Sequence, residues 1–157
     1  MQKKMNIRFT SPTEHPPGTV FDLLKRTWAP LWNRKLEENI RNFDSDVTKY
    51  PDSVGACTVV TCLGPEPVGI ASYDPRQRPE RGLIGWNCVV PEHQGKGIGK
   101  AQIQEILSIF RSKAIRKACV TTTDEDFFVP AQRMYEACGF AKVRKTEDNN
   151  IEYELDL

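Results

Sequence analysis

The chain has only two histidines, His15 and His93, and no Cys-x-x-Cys pair among its five cysteines. A structural zinc site needs paired nitrogen or sulfur ligands at close spacing, so that class is excluded. Cys57, Cys62, Cys88, Cys119 and Cys138 are odd in number and scattered through apolar segments. That suits buried, reduced thiols better than a disulfide framework. Cys57 and Cys62 fall inside one expected strand and, at an odd separation, point to its opposite faces. Net charge is nearly absent too: 22 Lys and Arg against 21 Asp and Glu leave +1, too little for a broad nucleic-acid footprint. No run approaches the ~20 apolar residues of a membrane span. The opening Met1-Gln-Lys-Lys-Met-Asn has no apolar stretch behind its lysines, so no signal peptide is expected. A cytoplasmic protein with no metal, nucleic-acid or membrane partner is the expectation.

What is present is enough for one domain spanning 1–157, long enough to bury a core without staples. Met5 to Thr10 alternates as a first strand, and Ser11 to Gly18 is loop. Thr19, with Asp22 three residues on, makes a capping-box-like start to a helix carrying Val20, Phe21, Leu24 and Trp28, which Pro30 ends or bends. Asn33 can cap a second helix with Leu36, Ile40 and Phe43, followed by a polar connection over Asp44 to Gly55. Three strands follow at Ala56–Leu63, Val68–Tyr73 and Leu83–Val90. A long helix beyond Gly99 carries Ile103, Ile106, Leu107, Phe110 and Ala114 on one face. Ala118–Thr123 reads as a strand. Pro130 opens a short helix closed by Gly139, and Phe140–Lys145 and Ile151–Leu157 form a terminal hairpin. The order β-α-α-β-β-β-α-β-α-β-β implies an α+β fold: a mixed, mostly antiparallel sheet of about seven strands flanked by helices.

One segment stands out chemically, Asn87-Cys-Val-Val-Pro-Glu-His-Gln-Gly-Lys-Gly-Ile-Gly-Lys100. A strand runs into a glycine-rich turn that opens a long helix, which makes an anion cradle. Glycines let backbone N–H groups approach a phosphate, and the helix N-terminus adds partial positive charge. Lys96 and Lys100 add mobile charge. A P-loop is excluded because Gly95 and Gly99 are only four apart and Ala101 follows Lys100. A dinucleotide fingerprint is excluded because the third glycine of Gly95-Lys-Gly97-Ile-Gly99 comes one residue early.

Gln94-x-x-Gly97-x-Gly99 instead resembles the acyl-CoA signature of the Gcn5-related N-acetyltransferases, and Met134-Tyr-Glu-Ala-Cys-Gly-Phe140 resembles their second motif. The whole element order is similar to theirs. The resemblance implies acetyl-CoA as cosubstrate and an amine as acceptor. Backbone amides of Asn87, Cys88 and Val89 would hold the pantetheine arm and thioester carbonyl. Gln94, Gly95, Lys96, Gly97, Ile98, Gly99 and Lys100 would form the pyrophosphate turn. Tyr135 would be the general acid that protonates the departing thiolate. Relatives are often dimers, so a homodimer is compatible with the resemblance. A silent acyl-CoA-binding regulatory domain, and transfer of a different acyl group, are the alternatives.

Two departures from the family pattern matter. Phe128 stands where relatives often carry an asparagine that contacts the cofactor, and Leu83 and Thr123 stand where some carry a glutamate base, leaving the base unassigned. His93 reads as an exposed loop residue and Cys88 as packing. Asp124-Glu-Asp126 is either a solvated loop or an attractor for a cationic amine. Trp32, between the first two helices, is the aromatic retained as a substrate contact.

Overall fold

The computed structural model describes residues 6–157, so Met5 of the expected first strand lies outside the described residues. The strands are β1 (Ile7–Thr10), β2 (Thr58–Leu63), β3 (Glu66–Asp74), β4 (Gly82–Val89), β5 (Lys117–Thr123), β6 (Ala141–Lys145) and β7 (Asn150–Asp156). The helices are α1 (Thr19–Thr27), α2 (Arg34–Lys49), α3 (Ile98–Ser112) and α4 (Val129–Ala137), and the element order is the expected one. The seven strands run β1-β2-β3-β4-β5-β7-β6. β4 and β5, joined by the α3 crossover, are parallel, as a connection through a helix requires. β1–β2, β2–β3, β5–β7 and β6–β7 are antiparallel. The chain divides into two compact units, each built from discontinuous segments.

The first unit runs to Ser72 and resumes over Trp86–Ile98. Its core joins Leu23 and Leu24 of α1, Ile40 and Val47 of α2, Val60 and Cys62 of β2, Val68 and Ile70 of β3, and Cys88 and Val90 at the end of β4. Asn33 caps α2 as expected, its side chain accepting from the Leu36 N–H at 2.8 Å. α2 nevertheless runs on to Lys49. The stripe Leu36, Ile40, Phe43 continues to Val47, so the polar residues taken for a connection are the helix's solvated face. Thr19 is the first helical residue rather than the cap. Gly18, in the left-handed region at φ 93°, holds the cap position. The missing cap is supplied from α2, where Asp44 Oδ1 accepts from the Phe21 N–H at 3.1 Å. Cys57 lies in a 3-10 turn ahead of β2, so it shares no strand with Cys62.

The second unit comprises Tyr73–Gly85 and Gly99–Leu157. Ile103, Ile106, Leu107 and Phe110 of α3 are buried together with Ala118 and Val120 of β5 and Ile151 and Tyr153 of β7. Ala114 is not on that face: α3 stops at Ser112, Ala114 turns left-handed at φ 57°, and Ile115 fills the core instead. Phe110 lies flat over Gly82, where an added Cβ would come within 2.7 Å of the ring. β7 is an inner strand, paired with β5 from Lys117↔Asp156 to Thr123↔Asn150. β6 forms the outer edge, exposed along its length, with Arg144 held bidentate on Glu152 at 2.7 and 3.0 Å.

Candidate active site

β4 brings Asn87, Cys88 and Val89 to the head of the glycine turn. Cys88 and Val89 are buried and Asn87 is half-buried. The Val90 N–H donates to Val68 of β3 at 2.9 Å, which fixes the strand end. A 3-10 turn over Pro91–His93 follows. Gln94 then reaches back and donates its side-chain amide to the Val89 carbonyl at 2.8 Å. Its placement in the signature is thus structural, since it closes the loop on which the glycines sit. Gly95 and Gly97 adopt φ 76° and 84°, a region costing other L-residues about 1–2 kcal/mol. Space beside both is open, with no atom within 4 Å of an ideal Cβ. α3 starts at once with Ile98 buried beneath it. The first amides of a helix lack intrahelical partners and carry partial positive charge. These features fit a phosphate-bearing ligand, and the exposed Lys96 and Lys100 add charge to it.

Sequence patterns left unseen the ionic collar around this turn. Arg26 of α1 pairs with Glu92 and, at 3.4 Å, with Asp22. His93 is not the freely exposed loop residue expected, its side chain being only 18% exposed. Lys96 Nζ donates to His93 Nδ1 at 3.4 Å, and His93 Nε2 lies 3.8 Å from Glu66. These partners come from α1 and β3, far away in sequence, so no local pattern announces them.

Burial, only partly offset by a hydrogen bond to Thr27, pushes the Cys88 thiol up to about 11. About one part in 10⁴ is then thiolate at neutral pH, which leaves no nucleophile for an acyl-cysteine relay. Burial likewise raises Cys119 and Cys138.

Tyr135 belongs to the second unit and is 4% exposed. The Tyr-x-x-x-Gly-Phe motif has a local logic. Gly139 at φ 96° reverses the chain, so that Cys138 and Phe140 N–H groups donate to the Tyr135 carbonyl at 3.1 and 3.0 Å. The Phe140 ring then meets the Tyr135 ring at 5.9 Å. Phe128 sits half-buried at the N-cap of α4 with its ring on Phe127 at 5.1 Å, making a side-chain cap bond to no α4 amide. Asp124 is engaged by Lys145 at 2.9 Å, while Glu125 and Asp126 are exposed. Trp32 is half-buried, packed edge-on against Phe21 at 6.0 Å with the Lys25 ammonium 5.6 Å above it. Among the described residues no helix is long and apolar enough to cross a membrane, and no cluster of His, Cys, Asp and Glu is arranged to hold a metal ion.

Comparison with known proteins gives the family. The chain is 29% identical over 120 residues to human N-acetyltransferase 8B, an alignment covering 71% of this chain and 50% of that protein. The chain therefore spans about half the length of this curated relative. A GNAT-family protein from Desulfovibrio desulfuricans superposes with a TM-score of 0.78 at 19% identity, covering 96% of this chain and 98% of that one. The PaiA N-acetyltransferase of Thermoplasma acidophilum, solved with coenzyme A, does so with 0.78 at 16%, covering 98% and 100%. The profile of the acetyltransferase (GNAT) family matches residues 18–140, and with the fold and glycine turn in agreement, the chain belongs to that family of acyltransferases.

Proposed function

We propose that the chain, as one acetyltransferase domain, moves an acetyl group directly from acetyl-CoA to a primary amine of low basicity. The observation that carries the reading is the turn itself: Gly95 and Gly97 left-handed and open-sided, closed by Gln94 on Val89, at the head of the 15-residue α3. The pyrophosphate would lie on the amides of Gly95 to Lys100, and Asn87 to Val89 would hold the pantetheine arm and the thioester carbonyl. The amine nitrogen bonds to the thioester carbon, the C–S bond breaks, the amine proton passes to water, Tyr135 protonates the CoA thiolate, and water returns a proton to the Tyr135 phenolate.

The choice of acceptor follows from proton arithmetic. A lysine-type amine of pKa ~10.4 is only about 0.1% neutral at pH 7.4, a cost of roughly 4 kcal/mol, whereas an α-amine near 8 costs under about 1 kcal/mol. Leu83 and Thr123 occupy the positions where some relatives carry a glutamate base, and Asp124 is tied to Lys145. A weakly basic amine needs no such base. Trp32 stands as a substrate contact between the first two helices.

Two measurements test the reading. Thermal unfolding with acetyl-CoA, CoA, ATP and NADH should show a shift of several degrees with the CoA species alone, since a ligand at 100 times its Kd adds about 2.7 kcal/mol. A preference for ATP or NADH would overturn it. Turnover with glycinamide (pKa about 8) and Nα-acetyl-lysine (about 10.4) should favour the first. Binding without turnover across such amines would mean a silent acyl-CoA-binding domain. Tyr135→Phe should lower kcat by roughly 10²-fold or less and leave the Kd for CoA unchanged.

A further inference from the structure

Tyr135 sits on a nine-residue helix with no side-chain cap. So short a helix is held by tertiary packing rather than by its own propensity. Besides the Phe140 ring, the packing on Tyr135 comes from one residue of β7. The Tyr153 ring lies 5.8 Å from the Tyr135 ring at 49°, and the two are 2% and 4% exposed. Tyr153 is itself rigidly placed, since its backbone is registered with Val120 of β5 on one side and Lys142 of β6 on the other. Burial first, and then the charge of the nearby Glu136 carboxylate, raise the affinity of its hydroxyl for the proton. Tyr153 thus meets α4 ring against ring at Tyr135, from a strand held on both sides.

We infer that Tyr153 is a positioning residue for the acetyl transfer: clamped between β5 and β6 and packed ring against ring on Tyr135, it sets the orientation in which Tyr135 presents its hydroxyl. This rests on the reading of Tyr135 as the general acid. The rest of the clamp, Phe140 and the Gly139 turn, belongs to the family motif. Tyr153 lies outside that motif, and the sequence marks it only as an inward position of a strand.

The test is a double-mutant cycle read as kcat and KM with acetyl-CoA and glycinamide, alongside fluorotyrosine incorporated at position 135. Tyr153→Leu should lower kcat about 10-fold with the KM for acetyl-CoA changed less than about 2-fold, because a displaced catalytic group costs rate rather than binding. Tyr153→Phe keeps the ring and loses only the hydroxyl, so the loss should be no more than about 2–3-fold. In a Tyr135→Phe background, Tyr153→Leu should add less than about 2-fold. The fluorine resonance at position 135 should shift and broaden in Tyr153→Leu even where turnover is too slow to measure. Multiplicative losses, a matching rise in KM, or an unchanged resonance would overturn the positioning role while leaving Tyr135 as the acid. Full activity of Tyr135→Phe would overturn the acid reading, and the positioning role with it. If Tyr153→Leu fails to fold, Tyr153→Met, which also removes the ring and better keeps the volume, carries the same comparison, and no loss of kcat in it overturns the inference.

Discussion

Gln94 and Val89 are joined by a 2.8 Å hydrogen bond from side-chain amide to backbone carbonyl, so the residue that opens the glycine turn is tied to the last residue of β4. The bond fixes the loop before any ligand arrives. Without it the turn must be ordered at the moment of binding, at the expense of affinity. Gln94→Ala should therefore raise the Kd for CoA about 5–10-fold while costing no more than about 1 kcal/mol of stability. Gln94→Glu should be worse, because a carboxylate has no donor to offer the carbonyl and repels a phosphate. Calorimetric titration with CoA checks both. An unchanged Kd in both variants would mean the tie is ornamental.

Two glycines predict opposite phenotypes. Gly97 is left-handed at φ 84° with open space beside it. Gly97→Ala should fold with a loss of about 1–2 kcal/mol and, on the proposed function, bind CoA at least about 10-fold more weakly, its methyl standing where the proposed phosphate site needs bare backbone. Gly82 lies under the Phe110 ring, 2.7–2.9 Å from an added Cβ. Gly82→Ala should lose about 1–3 kcal/mol through overpacking yet keep the wild-type Kd for CoA at a temperature where it is folded. Denaturant titration and CoA binding together separate the two.

Asp44 caps α1 from the neighbouring helix through the Phe21 N–H. Asp44→Ala should cost about 1 kcal/mol and Asp44→Asn only a few tenths, since the amide oxygen also accepts. Urea unfolding distinguishes them, and equal losses would assign the effect to charge rather than to the cap.

The cap also illustrates where reading the sequence ran out. Strand and helix order, the Asn33 cap, the glycine turn and the Gly139 stop are local, each set by residues within a few positions, and each was legible. Thr19 has the composition of a cap, but whether it caps depends on a partner 25 residues away in Asp44. The polar stretch after Phe43 has the composition of a loop, yet Val47, four residues on, finds the core and carries α2 with it. Ala114 continued a periodic face that the chain had already left. The glycine turn and Tyr135 were visible as motifs. The Arg26–Glu92 and His93–Glu66 contacts and the Tyr153 contact on Tyr135 were not, because they join segments that only tertiary packing brings together. Local signals place elements, and long-range pairing places charges.

Cys88 makes alkaline stability a readout of the core beneath the turn. Its thiol is held at about 11 against an ordinary value of 9.0, chiefly by burial. Between those values the unfolded chain has lost the proton and the folded chain has kept it. Unfolding then releases a proton, and stability falls as pH rises. The contribution is fully present below about pH 9 and is lost through about pH 11, and two units correspond to roughly 3 kcal/mol. Cys88→Ser keeps a hydrogen-bonding partner for Thr27 and has nothing to titrate in this range. Urea unfolding at pH 8 and at pH 10.5 should therefore show a smaller drop for the variant than for the wild type. Lysines and tyrosines titrate in both proteins, so the difference between the two drops isolates Cys88. Equal drops would mean that water reaches the thiol and that the end of β4 opens to solvent.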